Sequence, residues 1–166
     1  NAFGLKRAES SKIQTYIIEP ELFNSKEAFD RELISIINQD GAELIVLAGY
    51  MRVLTPLFIS NYFGKILNIH PSLLPKFPGL NTHQKAIDAS EKIHGASVHF
   101  VTDKLDGGPI ICQESVSIEA IDTAKTLSDK VLKKEHIIFP KVIHWYTQRR
   151  LKLINNITAT LDGKIL

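Results

Sequence analysis

The chain has 166 residues, 44% of them hydrophobic and 23% charged, with a formal net charge of +2. That length suits one domain with its own core, and so small a charge does not point to nucleic acid or an anionic membrane as partner. Cys112 is the only cysteine, which excludes an internal disulfide and a cysteine-built metal site and suits a reducing cytoplasm. No apolar run approaches the roughly 18 residues of a membrane-spanning helix.

In chain order, residues 2–10 (AFGLKRAES) mix apolar and charged side chains as a short helix does. Residues 12–18 (KIQTYII) are β-branched and predict a strand. Asn24 and Ser25 predict a helix start, with Glu27 and Asp30 at the positive end of its dipole. The helix runs to about residue 38, buries Phe29, Leu33, Ile36 and Ile37, and closes at Gly41. Residues 43–50 (ELIVLAGY) are almost continuously apolar, the pattern of a strand covered on both faces in a parallel sheet. Thr55 and Pro56 open a short helix, and residues 65–70 form a further strand.

Strands alternate with helices to this point, which predicts parallel pairing and right-handed crossovers. A loop carrying Pro71, Pro75 and Pro78 follows, then a helix over residues 82–90. Residues 95–101 and 109–118 predict two strands whose short connection suits an antiparallel pair. A long helix over 124–149 carries Leu127, Val131, Ile138 and Val142 on one face, with Pro140 expected to kink it. The tail has two short strand-like runs around Asp162 and Gly163, a hairpin pattern. The fold class predicted is α/β: a Rossmann-like, mostly parallel sheet flanked by helices, with an antiparallel C-terminal part. No linker or repeat interrupts it, so a single domain spans residues 1–166.

Three residues stand out chemically. Asn68 and His70 are two apart at the end of a strand, so their side chains leave the same face. That end of an open α/β sheet is where ligands bind. An amide can donate to a carbonyl oxygen that is gaining negative charge, and an imidazole can move a proton or stabilise charge. The plainer alternative is a loop-capping Asn and a satisfied buried His. Asp106, before Gly107 and Gly108, reads first as a turn residue. Its turn joins two apolar strands, however, and could bring a carboxylate over the site to orient the histidine and a water.

Other candidates are weaker. His83 and His94 fall near cap and turn positions, and His99 lies opposite Val98 and Phe100 on its strand. His136 and His144 sit on the long helix, and no His pair has a metal-ligand spacing. Cys112 reads as a core residue before a nucleophile. Glu135, between Lys134 and His136, reads as a solvated helix face or as a carboxylate reaching a substrate hydroxyl or amine.

The segments NIHPSLLP (68–75), PGLNTH (78–83), HGASVHF (94–100) and LDGGP (105–109) together closely resemble the phosphoribosylglycinamide formyltransferases, also called glycinamide ribonucleotide transformylases. The resemblance extends over essentially the whole chain. It implies transfer of a formyl group from 10-formyltetrahydrofolate to glycinamide ribonucleotide, with Asn68, His70 and Asp106 as the catalytic residues and no metal. It implies folate binding along Met51, Arg52, Val53 and Leu54, and along Val101, Thr102, Asp103 and Asp106, with Asn68 beside them. Lys26 stands where relatives can carry an arginine near the folate's glutamate tail, and Glu135 and Pro71 fall on the ribonucleotide side. Small molecules are the implied partners, without nucleic acid or membrane, for a cytoplasmic monomer or homodimer.

One feature of the family has no counterpart here. The family's first strand and Gly-Ser-rich phosphate turn, a backbone anion nest, do not occur in this sequence, so an N-terminally truncated domain is expected. Leu132, one turn before Glu135, also stands where a polar residue would help the substrate. Two alternatives use the same segments: a formyltetrahydrofolate hydrolase, with water as acceptor, and a non-catalytic folate-binding fragment. A methionyl-tRNA formyltransferase would call for a further tRNA-binding domain and a basic surface, which +2 on one domain does not offer.

Overall fold

The computed structural model describes residues 2–155 and 157–166. Four strands form the main sheet: β1 (Ile45–Leu47), β2 (Ile66–His70), β3 (Ile93–Phe100) and β4 (Ile110–Ser117), side by side in that order. The first pair is parallel and the other two are antiparallel, so the sheet is mixed. Helices α1 (Phe3–Ser10), α2 (Lys26–Gln39), α3 (Pro56–Asn61), α4 (Thr82–Asp88) and α5 (Ala124–Thr147) accompany it. The tail forms a second, antiparallel sheet of β5 (Leu151–Ile154), β6 (Thr158–Leu161) and β7 (Lys164–Ile165).

Helix starts follow the side chains that can cap them. Ser25 accepts the N–H of Ala28 at the head of α2, and Thr55 accepts that of Phe58 at the head of α3, where Pro56 fills a first-turn position without losing a bond. Thr123 and Thr126 cap α5 reciprocally. Helix α5 then lays Leu127, Val131, Ile138 and Val142 on Leu67, Ile69, Ala96, Val98 and Phe100 of the sheet. Fully burying each such side chain contributes about 1.5–3 kcal/mol. On the other side Leu33, Ile34 and Ile37 of α2 meet Leu54, Phe58, Ile59, Tyr62 and Ile66. Strand β2 is thus gripped from both sides, which fixes the residues at its end.

Three expectations change. Residues 12–18 form no strand: residues 13–19 are coil, with Ile13 and Ile17 exposed. Their β-branched composition suits a pleated, half-buried surface, but among the described residues β1 pairs with β2 alone and offers them no ladder. The strand expected over 43–50 shortens to β1, and Val46 is 40% exposed, so it is not covered on both faces. Helix α5 continues on both sides of Pro140, and Ile138 and Val142 pack to either side of it and offset the ~3 kcal/mol of an interior proline. The tail has a third strand, since β5 pairs along the whole of β6.

Candidate active site

The parallel register sets Leu47 beside Asn68. The chain leaving β1 therefore runs past the C-terminal end of β2, where Asn68 and His70 lie. Across the antiparallel ladder Asn68 faces His99 and His70 faces Ser97. The β3–β4 connection carries Asp106 back over the same end.

His70 is 5% exposed, and both its ring nitrogens face acceptors. Nε2 lies 2.9 Å from the Phe77 carbonyl oxygen; a carbonyl only accepts, so this nitrogen carries a proton. Nδ1 lies 3.5 Å from Oδ2 of Asp106. An imidazolium satisfies both contacts at once. Asp106 is held in turn by the backbone, its Oδ2 accepting the N–H of Gly79 at 2.8 Å. Phe77 and Asp106 both have left-handed backbones, at φ 54° and 48°. That conformation costs a non-glycine residue ~1–3 kcal/mol and persists where surrounding structure imposes it.

His99 is the residue that sequence reasoning undervalued. It is 2% exposed, and its Nδ1 donates to the Phe100 carbonyl at 2.8 Å. Burial lowers its proton affinity, as does nearby His70, against the Phe100 carbonyl and Asp106, which raise it. A neutral ring protonated on Nδ1 leaves Nε2 as an acceptor, and Nε2 lies 3.1 Å from Nδ2 of Asn68. It also lies 3.8 Å from Oδ1 of Asp106. Asn68, His70, His99 and Asp106 thus form one polar cluster, with the two histidines buried and Asn68 and Asp106 partly buried.

The adjoining proline loop is tied to the sheet through Ser97, which is fully buried. Ser97 donates to the Ser72 carbonyl at 2.6 Å and accepts from the Leu74 N–H and from Nε2 of Gln113. Gln113 also donates to the Leu74 carbonyl. A Cβ on Gly108 would strike the Phe100 carbonyl, so only glycine lets the turn carrying Asp106 lie so close to β3.

With this geometry established, similarity to known proteins decides the family. Residues 1–143 match the family described as formyl transferase. The chain belongs to the formyl transferase family. It is 49% identical to the phosphoribosylglycinamide formyltransferase of Escherichia coli (strain K12) over 166 residues, all of this chain and 78% of that protein. Its identity to the enzyme of the same name from Haemophilus influenzae is 43% over the same span, again 78% of that protein. The solved phosphoribosylglycinamide formyltransferase of Coxiella burnetii superposes with a TM-score of 0.94 at 51% identity, covering all of this chain and 78% of that one. Like these relatives, the chain is a transferase.

The remaining residues that the family resemblance singled out divide into two groups. Leu54 is buried among Phe58, Ile59 and Ile66, and Val101 packs against the same cluster, so the 51–54 and 101–106 segments adjoin. Met51 and Val53 are exposed, at 73% and 61%. The guanidinium of Arg52 lies over the Phe29 ring, 4.9 Å from its centroid, a cation–π contact that moors it to α2. Asp30 of α2 accepts the Thr55 N–H, at 2.7 Å, and holds this segment's far end. Thr102 and Asp103 line a cleft of about 390 Å³ together with Phe63, Lys104 and Gly108, and none of the catalytic candidates lines it. Lys26 heads α2 and is exposed, and none of its described contacts joins it to Asn68, His70 or Asp106.

On the substrate side, the Pro71 carbonyl accepts the Thr82 hydroxyl at 2.6 Å. Glu135 is half-buried on α5 rather than fully solvated. Burial raises its carboxyl above the usual range, while His136 and His70 oppose that shift. Leu132 is 44% exposed one turn earlier. Cys112 is partly buried against the core, with its thiol pushed up by burial, the opposite of an activated nucleophile. His94 lies inside β3, 1% exposed, rather than at a turn, with its ring 5.1 Å from that of His83.

Proposed function

We propose that this chain transfers a formyl group from 10-formyltetrahydrofolate to the primary amine of glycinamide ribonucleotide, a step of purine (IMP) biosynthesis, within one formyltransferase domain spanning residues 1–166. The reading is supported above all by the convergence of Asn68, His70 and Asp106 at the end of β2. That arrangement occurs in a chain 49% identical to a protein named phosphoribosylglycinamide formyltransferase.

In the proposed reaction the amine nitrogen attacks the formyl carbon, a C–N bond forms, and the carbonyl pair moves onto oxygen. An N–H of Asn68 and the positive charge of His70 stabilise that oxyanion. Asp106 balances the charge on His70 and, through a water, passes the proton lost by the amine towards the folate. The oxyanion pair returns, the bond from carbon to the folate nitrogen breaks, and that nitrogen keeps the proton. Formylated ribonucleotide and tetrahydrofolate leave, and no metal enters the scheme.

In the same proposal Met51, Arg52, Val53 and Leu54 bind the folate together with Asn68, Val101, Thr102, Asp103 and Asp106. Lys26 meets its glutamate tail, and Glu135 and Pro71 contact the ribonucleotide. The enzyme works on small molecules in the cytoplasm, as a monomer or homodimer and without nucleic acid. The test is loss of formyl from 10-formyltetrahydrofolate with and without glycinamide ribonucleotide. Loss that requires the ribonucleotide supports the transferase. Loss indifferent to it would replace the reading with a hydrolase, and binding of folate without loss would replace it with a folate-binding module.

A further inference from the structure

We propose that His99 is a positioning residue that fixes the side-chain amide of Asn68 with its nitrogen turned inward, so that the second hydrogen on that nitrogen meets the formyl oxygen. The inference rests on the formyl-transfer reading of the site and concerns how its oxyanion donor is oriented.

A side-chain amide has two orientations that differ by a half-turn, and its hydrogen-bond partners choose between them. At Asn68 the partner is the Nε2 of His99, 3.1 Å from Nδ2. The proton of His99 is already committed, because Nδ1 donates to the Phe100 carbonyl at 2.8 Å. A neutral ring so placed presents a lone pair at Nε2, and only the amide nitrogen of Asn68 can face it. The reversed amide would set oxygen against that lone pair. With His99 2% exposed, water is poorly placed to relieve the mismatch. The strand register that opposes Asn68 to His99 sets the separation.

The ionic alternative is disfavoured by the same surroundings. A proton on Nε2 would turn that nitrogen towards Oδ1 of Asp106, now 3.8 Å away. It would also set N–H against N–H at Asn68 and draw Asp106 from His70. Burial lowers the proton affinity of His99 and keeps the ring neutral. Neutral His99 therefore does two things: it sets Asn68 as a donor and leaves the Asp106 carboxylate to His70.

The test compares His99→Leu, which removes the acceptor, with His99→Gln, whose amide oxygen can stand where Nε2 does. Wild-type enzyme and Asn68→Ala complete a double-mutant cycle. One oxyanion donor contributes about 10²–10³ in kcat, and loss of its orientation alone is expected to cost about tenfold to hundredfold. His99→Leu should show that loss in kcat, with the KM for 10-formyltetrahydrofolate within about twofold of wild type. His99→Gln should recover most of it, and His99→Leu should cost nothing further in the Asn68→Ala background. A folded His99→Leu enzyme with wild-type kcat, or an undiminished penalty in that background, overturns the proposal.

Should His99→Leu fail to fold, nitrogen-15 spectra of the wild-type imidazoles near neutral pH decide. A protonated Nδ1 with a bare Nε2 at His99 supports the inference, and a proton on Nε2 overturns it. This measurement needs no turnover, so it separates failure of the positioning role from failure of the formyl-transfer reading, which wild-type assays alone would reveal.

Discussion

His70 and Asp106 lie 3.5 Å apart, Nδ1 to Oδ2, and that same carboxylate oxygen is pinned by the Gly79 N–H at 2.8 Å. The other nitrogen of His70 is pinned by the carbonyl of Phe77, two residues before Gly79. One loop thus holds both members of the pair and leaves Asp106 little freedom to withdraw from the ring. Asp106→Asn keeps the side-chain shape and an acceptor for Gly79 but removes the charge opposite His70. Proton transfer by a positioned side chain contributes about 10²–10⁴ to rate, so kcat for Asp106→Asn or His70→Ala should fall by that order. Melting temperature should stay within about 4 °C, the scale of a 1 kcal/mol change in a chain of this size. Steady-state kinetics beside thermal unfolding checks both, and near-normal turnover in either folded variant would remove that residue from the mechanism.

Gly95 tests how closely β3 and β4 approach. A Cβ there would run into the Glu114 carbonyl on the neighbouring strand and the side chain of Leu73. Backbone cannot step aside as a side-chain tip does. Gly95→Ala should therefore lose more than ~2 kcal/mol of stability, in the range of overpacking in a closed core. Gly4, in α1, has nothing within 4 Å of the same added atom. Gly4→Ala should leave stability unchanged or raise it by up to ~1 kcal/mol through helix propensity. Urea unfolding of the two variants separates steric conflict from a general glycine effect. A small loss at Gly95 would mean that the ladder shifts cheaply.

Asn68 and His70 were legible because their signal is local: alternation along one strand puts i and i+2 on one face whatever lies alongside. His99 was not, because its importance comes from a partner on another strand. Which residue opposes Asn68 depends on the register between β2 and β3, and alternation within β3 says only that His99 turns away from Val98 and Phe100. Ser97 and His99, two polar residues two apart in a strand that is otherwise apolar from Ala96 to Phe100, were the available clue. Residues 12–18 failed for the same reason in reverse, since a strand needs a neighbour as well as a composition. Cap residues Ser25 and Thr55 marked helix starts correctly because a cap acts within its own turn. The position of Glu135 depends on how α5 lies across the sheet, which no spacing within the helix encodes.

Ser97 links stability to catalysis. Its buried hydroxyl serves the Leu74 N–H, the Gln113 amide and the Ser72 carbonyl together. Ser97→Ala leaves the Leu74 N–H and the Ser72 carbonyl, both in buried residues, without this partner, at a cost of about 1–3 kcal/mol for a buried unsatisfied donor or acceptor. The loop it tethers supplies Phe77 and Gly79 to the His70–Asp106 pair. Turnover should fall along with stability, whereas Ser60→Ala, at an exposed hydroxyl on α3, should change neither. Chemical denaturation and kcat measured on both variants test the link, and loss of stability with unchanged kcat would show that the loop keeps its position without this tether.

Acid stability should depend on His94. Its ring is 1% exposed, and its Nε2 has no hydrogen-bond partner among the described residues. Burial, then His83, push its pKa down to about 4, against the Pro71 carbonyl and Glu91. The unfolded chain titrates at the ordinary histidine value of about 6.5, so between those values it binds more protons than the native state. The contribution of neutral His94 is therefore complete above about pH 6.5 and declines as pH falls towards 4, by at most ~1.4 kcal/mol per pH unit. His83, also lowered by burial and by His70, acts in the same direction. His94→Gln keeps a polar group but cannot titrate, and it should flatten the fall in unfolding free energy between about pH 7 and pH 4. Urea titrations across that range for wild type and variant provide the comparison, and parallel curves would mean that another group carries the acid sensitivity.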